Sequence, residues 1–460
     1  MEEKYPVLIS VYITNYNYGK YLEQAIKSVL QQSLQDFEII IIDDGSTDSS
    51  SEIIAQYAEH PKIKTIFQQN KGLNVTNNIA LRVARGKYIM RLDADDFLDE
   101  NALLVMSNLL EKDPQLGLVF PNYFLTDADG RVDSVHQRHD FNEVSLMDQA
   151  AHGACTMIRT TFLKELGGYS ENYQCQDGYE LWVKFTVKHP VKNVATPLFY
   201  YRQHGSNLTK NEGRILSTRA SINQEYVQKH ADRKDGIAII PIRDVGTANH
   251  RLAFTPLADK TFLNRKIESA QLAKNIKKVV VSSPDPAIGE ILSQQYGSSP
   301  DILFVIRPRE LAQLNVGLVE TVNDILKDER LHAESPSTFA VLAIEYPFVH
   351  SSTIDDAINT LFLFESDSLI SVRPDSSLFF QHQGHGMQPI LNQEKFTKLE
   401  REALYKYTGG ISVSRTEVFA SHQKIISGTV GHITVDQQTS LGVFSEYDLQ
   451  LVRLIVEANM

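Results

Sequence analysis

Residues Ile89–Phe97 read "IMRLDADDF", an apolar run that ends in Asp93, Asp95 and Asp96, three carboxylates within four residues. Like charges that close repel, and a neutral surface returns nothing for the cost. The stretch reads as a buried strand whose carboxyl end carries an acidic cluster, and it demands something positive opposite.

Working outward, the same pattern recurs. "VLISVYIT" (7–14), "FEIIIID" (37–43) and "IKTIFQ" (63–68) are apolar and β-branched, as strands buried on both faces should be. Between them, Tyr21, Leu22, Ala25, Ile26, Val29 and Leu30 recur at helical spacing. "DSSSEIIAQYAEH" (48–60), "LNVTNNIALRVARG" (73–86) and "ENALLVMSNLLEK" (100–112) supply further helices, with Asp99 as an expected cap and Gly86 as a stop. Alternating strands and helices predict βαβ units in a right-handed parallel sheet, with ligands beyond the carboxyl ends of its strands. Three polar clusters fall at those ends: Thr14–Asn17, Asp43–Ser46 and Asp93–Asp96. No glycine-rich phosphate loop of either common type is present, and carboxylates do not bind phosphates directly. A divalent cation between the two would supply the positive partner.

The chain has 460 residues, which implies two or three domains, and a formal charge of -12 from 57 acidic and 45 basic side chains. That balance argues against nucleic acid or an anionic membrane surface as the main partner. No uninterrupted apolar run of about 18 residues occurs, and "MEEKYPVLIS" lacks a signal-peptide pattern. Cys155 and Cys175 make neither a disulfide framework nor a zinc site. These features predict a cytoplasmic protein without a transmembrane segment, or one peripheral at the inner face of the membrane.

Five ordered blocks over the first 210 residues or so resemble the nucleotide-sugar glycosyltransferases of family 2, which have the GT-A fold. They are "VYITNYNYGKYLEQAIKSVLQQS", "FEIIIIDDGSTDSS", "GKYIMRLDADDFLDENAL", "GACTMIRTTFLKELGGYSENYQCQDGYELWVKF" and "LFYYRQHGSN". By that resemblance, Thr14, Tyr16, Asp44 and Asp93 hold the nucleotide-sugar donor, while Asp95 and His204 are metal ligands for Mn²⁺ or Mg²⁺. Asp96 is an alternative to Asp95. Asp177 in "CQDGYELW" stands where the catalytic base belongs, with Gln176 in place of the family's usual glutamate. A bland reading of Asp177 is a helix cap with Glu180 in box position. Trp182 lines an acceptor site or sits in the core. Thr76 replaces an arginine of many relatives, which leaves the donor's base open. The Gln-x-x-Arg-Trp element of processive synthases is absent, so one or a few sugars per acceptor are expected.

The polar, helical residues 216–235 read as a connector between a domain at 1–215 and another at 236–460. The latter resembles the cytidylyltransferases that make CMP-sugars, through "AIIPIR", "IRPREL", "STIDDAINTLF", "YTGGISVSRTEVF" and "SEYDLQLVRLI". Its phosphate loop reads "RDVGTANHRLAF", with Thr247, Leu252 and Ala253 where that family places lysines and asparagine. Gly442 and Phe444 stand in for its metal aspartates. The expected fold class is α/β, with two Rossmann-like domains, the second a nucleotidyltransferase-like unit without activity. Dimerisation through it, docking, or binding of a sugar or nucleotide are its expected uses. Glu345, Asp436 and Asp448 are weaker metal candidates there, as are His382 and His385. The whole is expected to be a non-processive, metal-dependent inverting glycosyltransferase acting on a glycan or lipid-linked glycan acceptor. The alternatives are a bifunctional enzyme that also makes a CMP-sugar and a non-catalytic sugar-nucleotide-binding scaffold.

Overall fold

The computed structural model describes residues 5–136, 153–173, 175–204, 212–230, 235–297, 299–313, 315–332, 335–375, 377, 379–382, 384, 386–389 and 404–458. The chain divides into two compact units, Met1–Arg219 and Ala220–Met460. No helix among the described residues is long and apolar enough to cross a membrane.

The first unit runs β1 (Val7–Asn15), α1 (Gly19–Leu30), β2 (Phe37–Asp43), α2 (Ser50–Ala55), β3 (Ile63–Phe67), α3 (Leu73–Val83) and β4 (Gly86–Asp93). It continues with β5 (Phe97–Leu98), α4 (Ala102–Lys112), β6 (Leu118–Thr126), β7 (Val132–His136), β8 (Met157–Arg159) and α5 (Thr160–Glu165). The last elements are α6 (Asp177–Thr186), β9 (Val191–Arg202) and α7 (Glu212–His230), which runs on past Arg219. Strand order is β3-β2-β1-β4-β8-β6-β9-β5, with β7 beside β6. The first four strands are parallel, and β8 turns the sheet antiparallel. Alternation along the strands sorts the two faces. Ile9, Val11 and Ile13 pack with Leu22, Ile26 and Val29 of α1 and Leu103 and Met106 of α4. Tyr12, Ile40 and Ile42 face Ala80 and Leu81 of α3 and Leu181 and Phe185 of α6. The mixed α/β architecture and its GT-A-like arrangement agree with the expectation.

Two helix starts differ from the reading above. Helix α2 is only six residues long. Asp48 accepts from the Ser50 amide at 3.0 Å and from Gly19, the first residue of α1, at 2.8 Å, so one carboxylate serves two helix starts. A Cβ on Gly19 would sit 2.8 Å from Ser49 Oγ, which is why a glycine opens α1. Asn101, not Asp99, precedes α4; Asp99 accepts from the Asn101 amide at 3.0 Å.

The second unit contains β10 (Gly236–Pro241), α8 (Ala248–Phe254), the hairpin β11 (Pro256–Leu257) and β12 (Lys260–Thr261), α9 (Phe262–Gln271), β13 (Ile276–Ser283) and α10 (Pro286–Tyr296). Next are β14 (Ile302–Ile306), α11 (Val319–Leu326), α12 (Glu329–His332), β15 (Thr338–Leu342), α13 (Ser351–Leu363) and β16 (Ser368–Asp375). A hairpin, β17 (Phe380–His382) and β18 (Met387–Pro389), precedes β19 (Leu404–Arg415), α14 (Thr416–His422), β20 (Val430–Thr434) and α15 (Glu446–Ala458). Seven strands form one mixed sheet in the order β14-β13-β10-β15-β19-β16-β20. The weaker metal candidates are engaged locally. Asp436 accepts from the Thr439 amide at 2.7 Å, and Asp448 accepts from Ser445 Oγ at 2.8 Å. His382 accepts from the Gly384 amide within its turn, and His385 lies outside the described residues.

Lys266 on α9 is 1% exposed and donates to the Tyr346 carbonyl at 2.6 Å. Burial pushes its amine down from 10.5 to about 7, with the Glu345 carboxylate pulling the other way. Between those two values the unfolded chain holds a proton that the folded chain has released. Stability must therefore rise with pH across that window. In calorimetric unfolding of the full chain, Lys266→Met is expected to raise the second unit's midpoint at pH 7 and flatten this slope. An unchanged slope in the variant would assign the pH dependence to other groups.

Candidate active site at the carboxyl edge of the first sheet

Strands β1, β2 and β4 are parallel and in register, so their carboxyl ends arrive together: Asn15 pairs with Asp43, and Thr14 with Asp93. Thr14 Oγ1 donates to Asp93 Oδ1 at 3.1 Å. This is the crevice that the three polar clusters predicted.

The chain itself supplies positive groups against the acidic cluster. Arg91 Nε lies 3.0 Å from Asp93 Oδ1, with the arginine side chain only 6% exposed. Space for that guanidinium depends on Gly153, where a Cβ would fall 2.6 Å from Arg91 Nη2. His204 Nε2 lies 2.9 Å from Asp95 Oδ2. The imidazole is stacked on Tyr21 and meets Tyr18 edge-on, so its plane is fixed from two sides. Arg202, at the end of β9, is 2% exposed. Its backbone amide donates to Asp96 Oδ1 at 2.9 Å, and its Nε donates to the Asp95 carbonyl at 2.8 Å. Its other nitrogens reach the Ala128 carbonyl at 3.0 Å and Gln24 Oε1 at 2.6 Å, while the guanidinium covers the Tyr21 ring. Arg91 and Arg202 were not singled out from sequence. The signal available was an arginine at the end of each of two apolar strands, "IMR" and "LFYYR".

Charge balance remains incomplete at the cluster's centre. Burial, with Asp95 and Asp93 adding to it, pushes the Asp96 carboxyl well above the usual carboxylate range. Burial and then Asp93 raise Asp95 as well. Tyr18 is raised by burial and by Asp95 and Asp93 next to it. Asp96 Oδ2 is buried without a hydrogen-bond partner. Among the described residues, no group of three or more His, Cys, Asp or Glu side chains could hold a metal by itself. Two converging donors, Asp95 and His204, beside an orphaned carboxylate oxygen, fit a cation that takes its remaining ligands from water and substrate phosphates. Mg²⁺ and Mn²⁺ accept oxygen-rich sets of that kind.

The other candidate residues serve varied ends. Asp44 is buried, and both its oxygens hold the Gln68–Gly72 segment: Gln68 Nε2 at 2.7 Å, the Lys71 amide at 2.8 Å and the Gly72 amide at 2.9 Å. Thr76 donates to the Gly72 carbonyl and receives Gln68 Nε2 at 3.0 Å, completing that brace. Tyr16 lies between β1 and α1 with 47% of its surface exposed. Trp182 is buried at 1% exposure and packs edge-on to Phe120, so it belongs to the core and not to an acceptor site.

Asp177 opens α6, and its side chain lies outside the described residues. The cap position belongs to Gln176, whose φ of 60° is left-handed. Glu180 pairs with Lys184 at 2.8 Å. Several groups fix the approach to α6. Asn74 Nδ2 donates to the Ser170 and Tyr173 carbonyls at 2.6 and 2.8 Å, and Asn78 Nδ2 to Tyr169 at 2.9 Å. From α7, Arg219 covers the Tyr179 ring, and Thr218 Oγ1 accepts from Cys175 Sγ at 3.2 Å.

Arg202→Met removes the guanidinium while keeping a similar stem. It leaves two carbonyls and an amide oxygen unserved and is expected to destabilise the first unit by about 3 kcal/mol. Trp182, the chain's single tryptophan, reports that unit in urea unfolding. A midpoint equal to the parent's would show that Arg202 is not a structural lock.

Residues 10–167 match the family model described as Glycosyl transferase family 2. The chain is 31% identical over 207 residues to chondroitin synthase of Escherichia coli, covering 44% of this chain and 29% of that protein. To hyaluronan synthase of Pasteurella multocida it is 28% identical over 204 residues, covering 44% of this chain and 21% of that one. It therefore spans less than a third of the length of these two relatives. A crystal structure of S. aureus TarS 1–349 in complex with UDP-GlcNAc is similar at 18% identity and a TM-score of 0.42, covering 49% of this chain and 67% of that chain. Residues 10–167 thus carry a family 2 glycosyltransferase domain.

Proposed function

We propose that the chain is a non-processive, metal-dependent inverting glycosyltransferase, which moves a sugar from a nucleotide-sugar donor to a hydroxyl of a glycan or lipid-linked glycan. The observation that carries this reading is the convergence of Asp95 and His204 at 2.9 Å, beside the Thr14–Asp93 pair at the sheet's carboxyl edge. Asp95 and His204 would hold Mn²⁺ or Mg²⁺. When bound, that cation neutralises the charge growing on the departing diphosphate.

The protein's own groups do the rest. Thr14 and Asp93 receive the donor, Tyr16 offers its exposed ring to the base, and Asp44 keeps the Gln68–Gly72 segment against the nucleoside side of the crevice. The Asp177 carboxylate takes the proton from the acceptor hydroxyl as that oxygen bonds to the anomeric carbon. The bond from that carbon to the leaving phosphate oxygen breaks on the opposite face, so the configuration inverts. Holding both substrates in line supplies much of the remaining rate. The second unit, in this reading, takes no part in the chemistry and serves dimerisation or ligand binding. The protein works at the cytoplasmic side of the membrane, in solution or peripherally bound.

The test is a panel of UDP-, GDP-, dTDP- and CMP-sugars with Mn²⁺, scored for slow hydrolysis and for transfer to chondroitin and hyaluronan oligosaccharides. These acceptors are suggested by the names of the two relatives. At least one donor is expected to turn over. Asp177→Asn should bind it as tightly as the parent and transfer it at least ~100-fold more slowly. Turnover of the variant at the parental rate would remove Asp177 from the mechanism, and an inert parent would remove the transferase reading.

A further inference from the structure

The second unit carries a cleft of about 280 Å³, lined among others by Arg243, Asn249, Glu345, Tyr407, Gly409 and Ser412. It opens beyond the carboxyl ends of β10 and β15, two parallel neighbours in the sheet, where ligands of α/β folds settle.

One wall of the cleft is shaped by a β-bulge. Ile370 of β16 pairs with Ser412 and Val372 with Tyr407, so four residues of β19, Thr408–Ile411, stand opposite the single residue Ser371, while Ile411 still pairs with Leu342 of β15. Ser371 Oγ is 2.6 Å from Thr408 Oγ1 and donates to the Ile411 carbonyl at 3.3 Å, which ties the bulge at both ends. Gly409 takes a φ of +81°, and a Cβ there would meet Tyr346 Oη at 3.0 Å. The bulge therefore requires glycine and presses on the segment after β15. Its effect is to bring two hydroxyls together: Tyr407 Oη lies 2.8 Å from Ser412 Oγ. Bulges re-aim side chains in this way beside binding sites. The opposite wall is equally ordered. Asn249 Nδ2 donates to Glu345 Oε1 at 2.7 Å, while its Oδ1 accepts from the Arg243 amide at 2.8 Å.

We propose that this cleft binds a sugar residue of the acceptor glycan. The lining holds one guanidinium and one carboxylate, a neutral balance that offers a triphosphate no excess of positive charge. What it does offer is a carboxylate, an amide and two hydroxyls, side chains that exchange hydrogen bonds with a polyhydroxylated ring. Aliphatic Leu318, Val341 and Ile426 provide an apolar surface for that ring's C–H face. A unit that holds the glycan on the same chain as a transferase raises its effective concentration at the reaction. That consequence rests on the transferase reading above; the binding itself does not.

The experiment uses the full chain and ligand-observed NMR with chondroitin and hyaluronan tetrasaccharides, and with CTP plus Mg²⁺ as the competing chemistry. At least one tetrasaccharide is expected to bind the parent and Asp95→Asn alike, and at least tenfold more weakly to Tyr407→Ala and Glu345→Gln. In transfer assays, Tyr407→Ala should raise the acceptor KM and leave kcat and donor hydrolysis unchanged. Absence of binding by both tetrasaccharides, binding that survives both cleft substitutions, or displacement of the glycan by CTP would each overturn the proposal. Glycan binding with the stated variant pattern but without transfer would uphold this site while removing the transferase reading.

Discussion

Crowding three carboxylates at the end of one strand, two of them buried, is the constraint around which the first unit is organised. Asp95 and Asp96 are buried and Asp93 is half-buried beside them, and charges repel there several times more strongly than in bulk solvent. The fold answers with one neighbouring group and others brought from far along the chain. Arg91 comes from the same strand, and Arg202 and His204 come from the end of β9, more than a hundred residues later. The β9 tail is thereby fixed to the acidic cluster, and the aromatic rings of Tyr18 and Tyr21 close over it from the first helix. Strand ends, helix start and tail are thereby joined into one constellation.

The balance is least complete at Asp96, one of whose oxygens is buried without a hydrogen-bond partner and whose carboxyl is pushed well above the usual carboxylate range by burial and by Asp95 and Asp93 beside it. A protein selected for stability alone would gain by replacing it. Its presence next to the Asp95–His204 pair is understandable if a cation visits together with the nucleotide.

Much of the fold could be read directly, because it rests on local pattern. β-branched runs such as "FEIIIID" leave no choice but a doubly covered strand, and the alternating helices fix a parallel order. Helix starts were less legible. Asp99 looks like a cap in sequence but stands two residues too early, and the Asp48 carboxylate serves two helix starts at once. The site divides the same way. Asp93 and Asp95 stand out by spacing and residue type, whereas His204 stands out only through the family resemblance of "LFYYRQHGSN". The roles of Arg202, Asn74 and Asn78 are set by partners distant in sequence, so no local pattern reveals them. Trp182 shows the converse: a lone tryptophan near a catalytic motif invites a functional role, and packing against Phe120 gives it a structural one. The bulge at Gly409 is visible as "GG", but its consequence for Tyr407 and Ser412 appears only once β16 is placed beside it.

The central claim is that the acidic crevice takes up a divalent cation jointly with a nucleoside diphosphate. Manganese binding followed by water-proton relaxation, with and without UDP, GDP or dTDP, tests it directly. Weak binding of Mn²⁺ alone, tightened at least tenfold by one of these nucleotides and lost in both Asp95→Asn and His204→Ala, is the predicted result. Manganese affinity that ignores the nucleotide, or that survives both substitutions, would contradict the account.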